Sequence, residues 1–291
     1  MRRFARPPTV EIGARDVQSV LHPTDFSESS ELAFAHALRI ALSGRTKMYV
    51  LHADSEAAEE PDWSAFPGVR RTLARWGMLE EGSSPQAVFE KLGVRLAKVR
   101  VHDRDAVRGI LRFLDEHPSE VVVLATHGRE GLPRWLRGSV AEPVARAAHT
   151  STLFIPHGAR GFVAPEDGAV SLRRVLVPVD RQPRPAPALD AAWRIARLFV
   201  AEPVALELLH VGEAGDMPAV QVDPGRWSKV DRAVRSGQVV EQIVAAAEDG
   251  AADLIVMATQ GHQGFLDAVR GSTTERVLRH APCPVLAVPA M

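Results

Sequence analysis

Twice along the chain a short apolar run ends in a glycine-bearing turn, and nine residues later a Gly-Ser pair opens a helix-forming segment. The first copy is Ala125-Thr126-His127-Gly128, then Arg129–Arg137, then Gly138-Ser139. The second is Ala258-Thr259-Gln260-Gly261, then His262–Arg270, then Gly271-Ser272. Glycine lets the backbone come close to a ligand and reach positive φ. A helix beginning on Gly-Ser aims unpaired N–H groups and a hydroxyl at an anion, which suits a phosphate. An earlier apolar run in each copy ends on an aspartate, Asp25 or Asp180, where a carboxylate can accept hydrogen bonds from ribose hydroxyls. Glycines at strand-to-helix turns also serve the turn alone. Two copies at one spacing, each with its aspartate, favour nucleotide binding over that plainer reading. Arg137 and Arg270, just before the Gly-Ser pairs, can either reach phosphate or remain solvated surface cations.

The elements that position these residues form an internal repeat. Ala125–Pro156 aligns without a gap over Ala258–Pro289, with 13 of 32 positions identical. Ser19–Asp25 parallels Arg174–Asp180, and Met48–His52 parallels Leu206–His210. The offset is 155 at the aspartates and 133 at the glycines, so the first half carries about 22 extra residues, placed near 62–92. The repeat divides the chain into 15–157, a Gly- and Pro-rich linker at 158–171, and 172–291.

Short aliphatic runs alternate with amphipathic segments, which predicts an α/β fold of parallel strands covered by helices. Strands are expected near 18–22, 47–53, 97–102, 120–126 and 151–155, with helices near 28–43, 86–95, 104–117 and 138–148. The second half repeats the strands near 174–179, 204–211, 230–236, 253–258 and 285–288, and its Gly212–Gly225 stretch leaves the second helix missing or very short. In the first helix Phe34, Ala35, Leu38, Ala41 and Leu42 share one stripe, Ile40 falls outside it, and Ser27 is the natural N-cap. Open parallel sheets bind ligands beyond the carboxyl ends of their strands, where strand order reverses. That places a site near Asp25 and Gly128 and another near Asp180 and Gly261.

A composition of 46% hydrophobic and 24% charged residues, with a formal net charge of -1, fits a globular protein and marks neither a nucleic-acid nor a membrane-surface binder. The single cysteine, Cys283, excludes an internal disulfide and a cysteine zinc site, and reads as a small buried residue. No run is long and apolar enough to span a bilayer, and the basic start Met1–Pro8 has no apolar region after it, so a cytoplasmic location is expected. His22, His52 and His102 fall near three strand ends, where a metal site competes with ordinary satisfied or exposed histidines. His127 belongs to the glycine turn and is expected at the site mouth. Trp63 and Trp76 in the insert are expected to pack a helix over the sheet edge. No P-loop, nucleophile elbow, His-Glu-x-x-His or Gly-x-Gly-x-x-Gly is present, so no catalytic residue is assigned.

The stretch Pro23-Thr24-Asp25-Phe26-Ser27-Glu28-Ser29-Ser30, the Ala-Thr-His-Gly…Gly-Ser-Val motif and the ending His280–Leu286 resemble universal stress proteins, once per half. The resemblance implies two tandem Rossmann-like (HUP-type) units, each a five-stranded parallel sheet with helices on both faces, packed as a pseudo-dimer. It also implies a stress-response protein that binds ATP, with or without Mg, and acts as a switch toward a regulatory partner. The alternatives are a nucleotide-free interaction scaffold or a slow ATPase; a homodimer of such chains is a further option. On that resemblance Gly128, Gly138, Ser139 and Val140, and Gly261, Gly271, Ser272 and Thr273, hold phosphates. Asp25 and Asp180 hold ribose. Pro23, Thr24 and Leu124 line the adenine pocket, with Pro178, Val179 and Met257 opposite. Two departures stand out. Ala125 and Ala258 replace the motif's first glycine, and Arg181-Gln182-Pro183-Arg184-Pro185-Ala186-Pro187 replaces a serine-rich loop, so the first half is expected to be the better site.

Overall fold

The computed structural model describes residues 18–54, 68–126, 140–199, 203–259 and 273–290. The first half runs β1 (Ser19–Pro23), α1 (Glu28–Gly44), β2 (Lys47–Asp54), α2 (Val69–Arg75), α3 (Pro85–Leu92), β3 (Arg95–His102), α4 (Ala106–Glu116), β4 (Val121–Ala125), α5 (Ala141–Ala147) and β5 (Ser151–Ile155). The second runs β6 (Arg174–Pro178), α6 (Ala186–Phe199), β7 (Ala205–Val211), β8 (Lys229–Arg235), α7 (Val239–Asp249), β9 (Leu254–Thr259), α8 (Thr273–Leu278) and β10 (Val285–Pro289). Between β7 and β8 the described chain forms only two single 3-10 turns, Ala214–Asp216 and Pro224–Arg226, as the glycines and prolines there predict.

All ten strands form one sheet, in the order β3-β2-β1-β4-β5-β10-β9-β6-β7-β8. Within each half the pairing is parallel, and the halves meet through the antiparallel pair β5–β10. Its register sets Leu286 against Leu153, Val285 against Phe154 and Ala287 against Thr152. Leu153 and Leu286 are the same position of the repeat (offset 133), so an internal two-fold axis passes through that pair. An isologous contact requires this arrangement.

Side chains alternate strictly between two layers. Val20, Val121, Val123, Leu153, Val175, Val256 and Leu286 face α1, α6 and the insert. Leu21, Val122, Leu124, Phe154, Leu176, Ile255 and Val285 face α4, α5, α7 and α8. Burial on both faces explains the unbroken apolar runs.

Helix α1 begins as expected, with the Ser27 hydroxyl oxygen accepting from the Ser30 amide at 3.3 Å. Ile40, placed outside the apolar stripe by sequence spacing, is fully buried, as are Ala33 and Ala37. The cause is tertiary: α1 packs on the sheet beside α6, which lies on the same face, and within one cluster with the insert and the connector, so more than one side of it meets protein. The segment joining the halves is part of this layer. It buries Phe162, Val163 and Leu172, and its Phe162 and Val163 amides both donate to His36 Nε2, at 3.1 and 3.2 Å. The opposite ring nitrogen, His36 Nδ1, donates to the Leu32 carbonyl at 2.8 Å. Burial holds this imidazole at a pKa of about 4, and it is therefore neutral.

Trp76 closes the insert onto the same segment. Its indole N–H donates to the Pro165 carbonyl at 2.9 Å, and its ring lies where a Cβ on Gly168 would sit, 2.5 Å away. Gly168 has φ +70°, so both contact and backbone require glycine there. The insert thus covers the sheet edge, with α3 on the outermost strand β3 as the sequence suggested, and also docks on the connector through Trp76. Trp63 lies outside the described residues.

Candidate functional site

Strand order reverses between β1 and β4 in the first half and between β6 and β9 in the second. At both places the main-chain pairing covers only two residue pairs, Val20–Val121 and Leu21–Val122, and Val175–Leu254 and Leu176–Ile255. Beyond them the carboxyl ends of the strands part, which opens a crevice at the position where such sheets take ligands.

The strand-end residues among those expected lie on the lips of these crevices. Pro23, Thr24 and Asp25 end β1 on one lip, with Leu124 and Ala125 ending β4 on the other. Pro178, Val179 and Asp180 face Met257 and Ala258 in the same way. Thr24, Leu124, Val179 and Met257 are buried, and the aspartates are more open. Val140 immediately precedes α5, and Thr273 is the exposed first residue of α8. Gly128, Gly138, Ser139, Gly261, Gly271 and Ser272 lie outside the described residues, as do His127, Arg137 and Arg270.

A pair of histidines fixes the two lips alike. His52 Nδ1 lies 2.8 Å from the Thr24 carbonyl, and His210 Nδ1 lies 3.1 Å from the Val179 carbonyl. A carbonyl only accepts, so each ring carries its proton on Nδ1. Both peptides immediately precede the site aspartate, and the Thr24 and Val179 amides donate to Leu51 and Leu209 in matching fashion. The repeat already placed His52 over His210, but strand-end position alone did not indicate this clamp.

Past the clamp the halves differ. The Asp25 carboxylate accepts from the Ser27 amide at 3.0 Å and the Ser27 hydroxyl at 2.6 Å, which ties it to the cap of α1. Phe26 sits between them at φ 60°, an uncommon conformation for a bulky residue, and its ring packs on His52 with centroids 4.4 Å apart. In the second half Asp180 accepts from the adjacent Arg181 amide at 2.7 Å, and Arg181 pairs with Asp216 at 2.9 Å. That loop passes through a cis Gln182–Pro183 peptide.

His22 spans the first crevice from below. It is fully buried, and its Nδ1 donates to the Val123 carbonyl at 3.0 Å across the gap between β1 and β4. Burial lowers its pKa to about 4, although the Val123 carbonyl and the Asp25 charge favour the protonated ring. The repeat has Val177 at this position.

Of the three histidines considered together in the sequence, two share a partner and one stands apart. His52 Nε2 and His102 Nδ1 approach Asp54 at 3.8 and 3.2 Å, and Arg100 Nε donates to both Asp54 oxygens at 2.9 and 3.2 Å. His22 faces Val123 instead. Among the described residues no group of three or more His, Cys, Asp or Glu is arranged to hold a metal ion.

The Universal stress protein family model matches residues 17–156 and 219–289. The chain belongs to the universal stress protein family. A universal stress protein of Methanocaldococcus jannaschii is 30% identical over 138 residues, covering 40% of this chain and 81% of that protein. One from Mycobacterium tuberculosis is 27% identical over 236 residues, covering 72% of this chain and 78% of its own length. The crystal structure of a universal stress protein from Archaeoglobus fulgidus superposes over 95% of this chain and 97% of that one, with a TM-score of 0.62 at 20% identity. That likeness shows a shared fold over nearly the whole length of both chains. Among the described residues no helix is long and apolar enough to cross a membrane.

Proposed function

We propose that this universal stress protein is a stress-response switch that binds an adenine nucleotide, ATP with or without Mg, in the crevice of its first half. The observation that carries the reading is the parting of β1 and β4 beyond Leu21 and Val122, with Thr24-Asp25 and Leu124-Ala125 on opposite lips. Asp25 accepts from ribose hydroxyls, and its orientation is set by Ser27. Pro23, Thr24 and Leu124 enclose the base, while Gly128, Gly138, Ser139 and Val140 take the phosphates. A bound magnesium ion would neutralise phosphate charge. Domain limits at 15–157 and 172–291 put one such crevice in each domain. Asp180 and the proline-bearing loop make the second the weaker one. Occupancy acts by stabilising one conformation of the strand-end loops over another.

Calorimetric titration of ATP, with and without Mg, into nucleotide-stripped protein tests this. Saturable binding that is weakened in Asp25→Ala, lost in Gly138→Trp and retained in Asp180→Ala and Gly271→Trp is the expected result. Absence of binding by folded wild type would leave a nucleotide-free interaction scaffold.

A further inference from the structure

In both halves the strand pairing that borders the crevice stops at a proline. Main-chain groups of successive strand residues point to opposite neighbouring strands. The Thr24 amide goes to Leu51 on β2, so the main chain of residue 23 faces β4. Residue 23 is proline, which has no N–H to give. The second half is built the same way: the Val179 amide goes to Leu209 on β7, and Pro178 faces β9. Each ladder ends after two pairs. One carbonyl on the far strand then lacks the strand amide that regular pairing would bring, Val123 in the first half and Val256, its repeat position, in the second.

The first half supplies the missing bond from a side chain. His22 Nδ1 donates to the Val123 carbonyl at 3.0 Å, one step past the last main-chain pair. The ring shares a face of the sheet with Val20, on the α1 side, with the buried Phe34 ring 6.0 Å away between centroids. Burial keeps the imidazole neutral, so this bond brings no charge beneath the site. In the second half Val177 is equally buried at the same position and has no donor. The same proline thus ends both ladders, and only one half replaces what it takes away.

We propose that His22 is a positioning residue of the first crevice: its imidazole takes the place of the Pro23 amide, ties β1 to β4 beneath the lips, and so holds Thr24-Asp25 and Leu124-Ala125 at the spacing a bound nucleotide meets. The part that concerns the ligand rests on the nucleotide reading above, and the tie between the strands does not. Val123 is adjacent to Leu124, and His22 is two residues before Thr24, so an opening at this bond passes directly to both lips. One net hydrogen bond shifts such an opening by up to about tenfold. The second crevice lacks the tie and its lips part more freely, a difference between the halves that is independent of Asp180 and its loop.

Native-state hydrogen exchange of the full chain and calorimetric titration of ATP test this in wild type, His22→Leu and His22→Asn. Leucine and asparagine branch alike at Cγ and leave similar space, but only the asparagine amide puts an N–H where Nδ1 stands. Urea unfolding of each variant corrects for global stability. Residues 121–125 should exchange more slowly than 254–258 in wild type. After correction they should exchange about tenfold faster in His22→Leu, with 151–155 on the far side of β4 unchanged, and recover in His22→Asn. ATP affinity should follow the same order, about tenfold weaker in His22→Leu and within about twofold of wild type in His22→Asn. Equal behaviour of the two variants overturns the proposal, because packing alone would then be at work. So does exchange in 121–125 no slower than in 254–258 of wild type, a comparison that needs no variant to fold. The expected exchange with unchanged ATP affinity in His22→Leu overturns the positioning role. Wild type that shows the exchange pattern and binds no ATP sinks the nucleotide reading and leaves the tie between the strands standing.

Discussion

The two halves share every strand, the order of those strands and a histidine clamp behind each site aspartate, yet they differ in what surrounds the clamp. In the first half Asp25 is tied through Ser27 to a capped helix, Phe26 packs on the clamp histidine, and His22 bridges the crevice floor. In the second, Asp180 turns to its own neighbour, Val177 stands where His22 stands, and prolines occupy the helix approach. The duplicated part, the clamp, is what the sheet needs in order to end properly. The part that differs is what a ligand would meet.

Acid is expected to produce the largest difference. His22 and His36 are buried with pKa values of about 4, below the ordinary 6.5, and both belong to the first half. The unfolded chain binds these protons more readily, so their stabilisation is complete above pH 6.5 and is lost as the pH falls toward 4. At about 1.4 kcal/mol per tenfold in proton affinity, acidification through that range costs about 3 kcal/mol for each ring. Urea unfolding at pH 7 and pH 4.5 should show the loss, and His22→Val, borrowing the residue of the second half, should reduce it. An unchanged pH dependence in that variant would break the comparison at the crevice floor.

At the axis, where the halves should be equivalent, Leu153→Ala and Leu286→Ala should each cost about 3 kcal/mol, because both side chains are buried to 1% exposure. Unequal costs in denaturant unfolding would mean that the shared edge is not energetically symmetric. A smaller effect separates the sites: Asp25→Ala should weaken ATP binding by about 1.5–3 kcal/mol, the range for hydrogen bonds to a charged group, and Asp180→Ala should leave it within twofold. The smallest is the cap. Ser27→Ala should lower stability by about 1 kcal/mol in thermal unfolding, with no equivalent position after Asp180 to mutate for the same loss.

The strands were legible because a sheet buried on both faces writes itself as continuous aliphatic runs, and the repeat located the site residues by their spacing. Three features were not legible, for one physical reason. Ile40 lies off the helical stripe and is buried by segments distant in the chain; residues 158–171 look like a linker and are packed through Phe162 and His36; His22 and His52 look alike and bind different carbonyls. Each depends on contacts between segments distant in the chain, which local periodicity does not contain. The pairing of β5 with β10 is of the same kind. The repeat requires that a two-fold contact match like with like, and only the fold selects which strand does so.

The Leu153–Leu286 axis lies inside one covalent chain. Two separate subunits that met on such an edge would come apart on dilution, and their response to a ligand would shift with protein abundance. Here the joining of the edges is intramolecular, its effective concentration fixed by the buried connector. The assembled sheet is therefore the same at one copy per cell as at thousands. Being joined also releases each half from self-complementarity. A substitution falls once on the shared edge rather than twice, so one crevice can change while the other keeps its shape.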